Sequence, residues 1–199
     1  MKRRRRTETK RRLYEVAESQ LGYFTSRQAL SAGYSHRLQS YHAGRGDWER
    51  IDHGIYRLRD FPTQKHEELV RWSLWARGLA VVSHATAAAW YDLGDLLPSR
   101  VHMTVPPQFR KRIVRAVIAH RGEVPEDDSQ LATGFRITTP TRTILDLMRE
   151  SIEANWLSGV VRDAVTRGLA MREELGERAA TLDKPQRLLL RRLLITRAR

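Results

Sequence analysis

The sequence predicts an α+β protein, with a small N-terminal domain of helices and a hairpin before a larger mixed α/β domain that ends in helices. Three observations support this prediction. Helix-capping residues and glycines alternate closely between residues 25 and 44. Residues 101–105 and 114–120 alternate in polarity as strands do, without a regular alternation of strands and helices around them. From residue 152 onward the apolar residues follow helical spacing.

A pair of short helices is predicted within residues 25–44. Thr25 and Gln28 have the spacing of a capping box, in which each side chain accepts an orphan amide of the first turn. The helix that follows should end at Gly33, because glycine adopts the left-handed conformation of helix ends without steric cost. Ser35 can cap a second helix over residues 36–43, which should stop at Gly44.

A hairpin and a supporting helix complete this domain. Residues 48–51 and 55–58 are predicted strands, joined by a tight turn through Gly54. We call this hairpin, residues 48–58, the wing. Residues 9–20 have helical apolar spacing and should pack beneath the two short helices. Two helices with a glycine turn and a wing predict a winged helix-turn-helix over residues 9–60, which can place one helix in a DNA major groove.

Residues 64–199 are predicted to form the second, mixed α/β domain. Helices are expected over residues 64–77 and 84–91 and after Pro140, with strands over 79–82, 101–105, 114–120 and 135–138. Leucines at 188–190, 193 and 194 predict a core-facing helix near the end, and the arginines between them leave a dimerising helix open.

The charge lies at the two ends of the sequence. Of the net charge of +13, residues 1–12 contribute +7 and residues 184–199 contribute +6, so the remainder is neutral. Residues 1–8 are predicted to be a disordered basic arm that touches DNA phosphates through Arg3, Arg4, Arg5 and Arg6. A solvated tail and a membrane-surface arm are the alternatives. The sequence has no cysteine and no apolar run long enough to span a bilayer, so a cytoplasmic protein without disulfides is expected.

The outward side chains of the second short helix are the predicted base contacts. A helical wheel at about 100° per residue places Tyr34, Leu38 and Tyr41 on the inner face. Glutamine can bond adenine bidentately and arginine can bond guanine, so the base contacts are predicted at His36, Arg37, Gln39 and Ser40. Phosphate and wing contacts are predicted at Ser26, Arg27, Arg50, His53 and Arg57. The alternative is that all of these are solvated surface residues.

No catalytic, metal-binding or cofactor-binding motif is found. HExxH, Walker A, Rossmann and Gly-x-Ser-x-Gly patterns are absent from the sequence. A nucleic-acid enzyme stays open as an alternative only if His84, His102 and His120 converge in space. A protein-binding module, whose winged helix docks a partner, is a further alternative.

Five segments in order resemble one family. "GYFTSRQALSAGYS" (22–35) and "DWERIDHGIYRL" (47–58) resemble the N-terminal winged helix of AbiEi-type antitoxins of type IV toxin–antitoxin systems. "AVVSHATAAAWYDL" (80–93), "VHMTVP" (101–106) and "RITTPTRTILDLM" (136–148) are similar to the second domain of these proteins. The resemblance covers about residues 12–150.

The resemblance implies a cytoplasmic bacterial repressor that binds double-stranded operator repeats near its own promoter. It also implies a neighbouring nucleotidyltransferase-like toxin, which the second domain opposes without needing a stable complex. An orphan regulator without a toxin is the alternative. In both cases the DNA contacts would come from the helix at residues 36–43 and the wing residues 50–57.

Overall fold

The structure is a computed structural model that describes residues 2–95, 97–150 and 152–195, with all side chains in these ranges except those of residues 2, 3 and 5. The chain divides into two compact units. Unit 1 extends to Leu79 and includes Leu131–Phe135, and unit 2 comprises Ala80–Gln130 and the chain from Arg136 onward. The boundary therefore falls after residue 79, not at residues 60–64 as predicted. Helix α4 (Glu67–Trp75) causes the difference, because it packs on the strands of unit 1.

Unit 1 is a winged helix-turn-helix, as the sequence predicts. Its strands pair antiparallel in the order β1-β3-β2. Its elements are α1 (Lys2–Glu18), β1 (Tyr23–Thr25), α2 (Ser26–Ala32), α3 (His36–Arg45), β2 (Trp48–Asp52), β3 (Ile55–Leu58) and α4.

The core of unit 1 forms where α1, α2 and the wing meet. Leu13 and Ala17 of α1 lie against Phe24, Tyr34 and Trp48. The Phe24 and Trp48 rings meet edge to face, with centroids 4.8 Å apart, a geometry that stabilises aromatic pairs beyond their buried area. The first helix is thus a structural support for the helix-turn-helix, as expected.

The predicted disordered arm at residues 1–8 is wrong for the described residues, because α1 already begins at Lys2. Exposed ion pairs one helical turn apart offset the repulsion among its arginines. Glu8 pairs with Arg11 and Arg12, and Arg11 also pairs with Glu15.

The predicted end of α3 at Gly44 is also wrong. The helix continues to Arg45, and Gly46 takes the left-handed conformation with a φ of 82°. A Cβ at Gly46 would lie 3.1 Å from the Arg59 guanidinium, whereas a Cβ at Gly44 would meet nothing within 4 Å. The positive φ of Gly46 and the lack of room for a side chain there both place the helix stop at Gly46, two residues later than predicted.

Unit 2 is built on a mixed sheet in the order β6-β5-β4-β8-β7. Strand β4 is antiparallel to β5 and parallel to β8, and β5 is parallel to β6. The elements are β4 (Val81–Val82), α5 (His84–Trp90), β5 (Val101–Val105), β6 (Val117–Arg121), β7 (Ser129–Ala132), β8 (Phe135–Thr138), α6 (Pro140–Met148), α7 (Ala154–Thr166), α8 (Arg172–Arg178) and α9 (Lys184–Ile195).

The core of unit 2 lies between this sheet and its helices. Helix α5 packs on β5 and α6, α6 packs on α7, and α7 packs on α9. Leu190 of α9 is fully buried, whereas Leu188 is 57% exposed, so the leucine stripe is only partly core. None of the helices in the described ranges is long and apolar enough to cross a bilayer.

Candidate nucleic-acid interface and histidine cluster

Local capping fixes the helix-turn-helix as the sequence predicts. The Thr25 hydroxyl accepts a hydrogen bond from the Gln28 amide, and the Gln28 side chain accepts one from the Thr25 amide. Gly33 ends α2 with a φ of 105°, and the Ser35 hydroxyl accepts a hydrogen bond from the Leu38 amide at the start of α3.

Gln39 does not face outward, so its predicted role as a base contact is wrong. Its side chain is only 2% exposed. Gln39 Oε1 accepts a 2.6 Å bond from the Ser26 hydroxyl, and Nε2 donates to the carbonyls of Ser26 and Tyr34. These three bonds satisfy a buried amide and tie α2 to α3.

The outer face of α3 is rotated relative to the predicted wheel. His42 turns inward, where its ring stacks on Trp48 with centroids 5.1 Å apart. Leu38 and Tyr41, predicted to face inward, are 43% and 52% exposed. The wheel misplaced them because it assumed that apolar residues define the inner face, whereas an amide and an imidazole do so here. The exposed residues of α3 are His36, Arg37, Leu38, Ser40, Tyr41, Gly44 and Arg45.

At the start of α2, Ser26 and Arg27 differ in whether their hydrogen-bond donors are available to a phosphate. The Ser26 hydroxyl is bound to Gln39 and its amide donates to the Gly54 carbonyl, so neither donor is free for a phosphate. The predicted phosphate contact at Ser26 is therefore wrong. Arg27 is exposed at the same helix end.

The wing presents two of the three predicted basic side chains. Arg50 and His53 are exposed. Arg57 is only 7% exposed, and its Nη2 donates a 3.0 Å bond to Glu67 Oε2 on α4. The predicted wing contact at Arg57 is therefore wrong, because alternate residues of β3 face inward and α4 supplies a half-buried carboxylate there.

Helix α1 carries exposed basic side chains near the helix-turn-helix. Arg4 and Arg6 are exposed. The positive charge of Arg6 is close enough to Tyr34 to act against the raised pKa that burial gives the Tyr34 hydroxyl. The predicted contacts of Arg3 and Arg5 fall on side chains outside those described.

A histidine cluster forms in unit 2, as the enzyme alternative required. The rings of His84 and His120 stack with centroids 3.5 Å apart, and His102 Nδ1 lies 3.1 Å from His120 Nε2. The register explains the convergence, because Thr104 is paired with His120, and residues 102 and 104 of β5 share one face of the sheet. His84 joins them from the first residue of α5, where its φ of 51° is unusual for a residue with a side chain.

Burial disfavours the charged form of each histidine in this cluster. Desolvation lowers the pKa of His84 to about 2 and that of His102 to about 4, and repulsion between the His120 imidazole and each of these rings in their charged forms adds to both shifts. Burial also lowers the pKa of His120. Glu150, which sequence analysis did not single out, places Oε1 3.5 Å from His120 Nδ1, and burial raises the pKa of its carboxyl. It follows α6 with no motif around it, so only the fold could indicate its role.

Two family comparisons cover most of the chain. Residues 11–59 match the family described as "Transcriptional regulator, AbiEi antitoxin", and residues 79–194 match the "AbiEi antitoxin C-terminal domain". The second match alone spans more than half of the sequence. The chain belongs to the AbiEi antitoxin family. This confirms the resemblance found in the sequence and extends it to the C-terminal helices, for which the five segments gave no match.

The AbiEi fold is also found in a solved structure. The chain is similar to the crystal structure of the RV2827C protein from Mycobacterium tuberculosis, with a TM-score of 0.59 and 16% sequence identity. The similarity covers 94% of this chain and 76% of the mycobacterial one. At this identity the match supports the fold alone. No curated protein sequence matches the chain.

The two matched regions separate the two candidate sites of this AbiEi protein. The regulator-type match contains α2, α3 and the wing, and the C-terminal match contains the histidine cluster and Glu150.

Proposed function

We propose that the protein is a sequence-specific DNA-binding repressor of its own promoter and the antitoxin of a type IV toxin–antitoxin system. The exposed polar face of α3 is the single observation that carries the DNA-binding part. Helix α3 is capped, anchored from beneath by Gln39 and His42, and exposes most of its other residues to solvent. A helix held in this way can enter a major groove without rearrangement.

Within this face, Arg37 and Ser40 are the proposed base contacts, with Tyr41 beside them. Arg37 is an exposed guanidinium, suited to bidentate bonding with guanine. The Tyr41 hydroxyl accepts a 3.2 Å bond from Arg45 Nη1, so its ring is held at the same edge. Gly44 on this face leaves room for close approach of a base or sugar.

Phosphate contacts are proposed on both sides of α3. Arg27 at the start of α2 and Arg50 and His53 on the wing are exposed. Arg4 and Arg6 extend the basic surface along α1. Contacts of this kind supply affinity and orientation without sequence information.

Family membership supports the proposed partners. We propose that the operator consists of repeats near the protein's own promoter, and that unit 2 opposes a nucleotidyltransferase-like toxin encoded beside it. Type IV logic does not require a stable complex between the two proteins. Co-expression with the adjacent toxin tests this part: restored growth is expected, and equal growth arrest with and without this protein would leave an orphan regulator.

Footprinting of the DNA upstream of the gene, followed by binding of variants, tests the DNA-binding part. We expect Arg37→Ala to cost about 1–3 kcal/mol on the protected sequence and little on random DNA. Arg27→Ala, the matched control, should weaken both DNAs alike. Equal losses for Arg37→Ala on both DNAs would exclude base contact, and no binding at low salt would favour a protein-docking winged helix.

A further inference from the structure

The histidine cluster and Glu150 place potential metal ligands at one point of unit 2. Among the described residues, His84, His120 and Glu150 each offer a ligand atom, and these atoms lie within 4.8 Å of one another. They come from α5, from β6 and from the segment after α6, so the tertiary fold, and not a local motif, brings them together.

We propose that His84, His120 and Glu150 bind one divalent transition-metal cation, with Zn²⁺ as the ion that suits them best. Two imidazoles and a carboxylate are a common ligand set for zinc, and they leave a fourth tetrahedral position for water. Oxygen-only cations such as Mg²⁺ and Ca²⁺ are disfavoured by two nitrogen ligands. The site does not depend on the proposed DNA-binding function.

The hydrogen bonds around the imidazoles assign their ligand atoms. His84 Nδ1 lies 2.8 Å from the Ser83 hydroxyl, which also accepts a bond from Thr104, so Nε2 of His84 is left for a metal. His120 Nε2 faces His102 Nδ1 at 3.1 Å, so Nδ1, on the side of Glu150, is the second ligand atom. Metal-binding histidines are typically oriented by such a partner on the other ring nitrogen. His102 is therefore a positioning residue.

The electrostatic surroundings also suit a cation. The imidazoles are neutral, which is the form that binds metals. The positive charges of Arg142 and Arg149 act on His84 and are offset by acidic partners. Arg142 pairs with Asp128 and Asp146 at 2.7 Å each, and Arg149 pairs with Asp146 at 3.1 Å. Asp146 Oδ2 is buried and has no hydrogen-bond partner among the described residues, and its charge is close enough to raise the pKa of Glu150.

Binding requires the ligands to close slightly. Bonds of about 2.0–2.1 Å in a tetrahedron place ligand atoms roughly 3.4 Å apart, closer than the present limit of 4.8 Å. The stacked rings of His84 and His120 must turn so that their nitrogen lone pairs converge. The Glu150 side chain is 27% exposed and lies just after the end of α6, so it can move toward them.

Titration of the full-length, tag-free protein with ZnCl₂ after dialysis against EDTA tests the site. Calorimetry should give one Zn²⁺ per chain, and Co²⁺ in its place should give the visible bands of a tetrahedral centre. Glu150→Gln, which keeps the shape of the side chain, and His84→Ala should each weaken Zn²⁺ binding by about 100-fold or more. His102→Ala should weaken it by about 10- to 100-fold.

His53→Ala, an exposed histidine of the wing, is the matched control and should bind Zn²⁺ as the unchanged protein does. If His84→Ala fails to fold, Glu150→Gln decides the outcome, with circular dichroism confirming its fold. Absence of Zn²⁺ binding at millimolar concentration, or equal affinity in Glu150→Gln and the unchanged protein, would overturn the proposal.

Discussion

The Gln39 side chain holds α3 to α2 through two hydrogen bonds with Ser26, one to its hydroxyl and one to its backbone carbonyl. The Ser26 hydroxyl donates to Gln39 Oε1 at 2.6 Å, and Gln39 Nε2 donates to the Ser26 carbonyl at 3.1 Å. Because the Gln39 side chain is buried, leaving its amide without partners would be costly. The angle between the two helices, and hence the presentation of α3, depends on them.

We therefore predict that Gln39→Ala destabilises the protein by about 2–3 kcal/mol, because it leaves the Ser26 hydroxyl and the Ser26 and Tyr34 carbonyls without this partner. Urea unfolding measures the loss. Ser40→Ala, one residue later on the exposed face, should leave stability nearly unchanged. A stable Gln39→Ala variant that had lost only DNA sequence preference would contradict the structure.

The two wing arginines should respond in opposite ways. Arg57→Ala leaves the Glu67 carboxylate without its buried partner and should cost about 2–4 kcal/mol of unfolding free energy. Arg50→Ala removes an exposed side chain and should change stability by less than about 0.5 kcal/mol. DNA binding should be measured at a temperature at which both variants are folded. Only Arg50→Ala should then weaken binding, and it should do so on all sequences. If Arg57→Ala weakened binding and Arg50→Ala did not, Arg57 would be a DNA contact after all.

The exposed arginines of α1 should determine part of the salt dependence of DNA binding. Replacing Arg4 and Arg6 with glutamine should reduce the slope of log K against log salt by up to about 0.9 for each phosphate that the variant no longer neutralises. Arg110 and Arg112, exposed in the loop before β6, provide a control with the same change in net charge. Equal slopes for both double variants would mean that α1 binds no phosphate.

Acid should destabilise the metal-free protein through the histidine cluster. The pKa of His84 is lowered from 6.5 to about 2 and that of His102 to about 4, chiefly by burial. The unfolded chain therefore binds more protons than the folded one below pH 6.5, so stability falls as the pH drops from 6.5 toward 4. Each such histidine contributes a slope of about 1.4 kcal/mol per pH unit.

Unfolding in EDTA between pH 7.5 and 4.5 measures this effect. His102→Ala should show a shallower fall over that range, whereas His53→Ala on the wing should retain the full one. A stability that is flat below pH 6.5 would show that the imidazoles remain accessible to protons.

The features that neighbouring residues control were the most predictable from the sequence. The cap at Thr25 and the stops around α2 involve partners within four residues, so propensity and capping chemistry are sufficient. Side chains whose direction depends on a partner distant in the sequence were predicted wrongly. Gln39 faces inward because of Ser26 and Tyr34, and Arg57 does so because of Glu67 on a helix that the sequence had assigned to the other domain.

By itself, the sequence determined the order of elements and the winged helix-turn-helix. It also determined membership of the AbiEi family, through five segments that occur in the family's order along the chain. Only the tertiary structure decided which face of α3 is exposed and that His84, His120 and Glu150 meet. The physical reason is that burial of a polar side chain depends on hydrogen-bond partners brought from elsewhere in the fold. Hydrophobic periodicity contains no information about them.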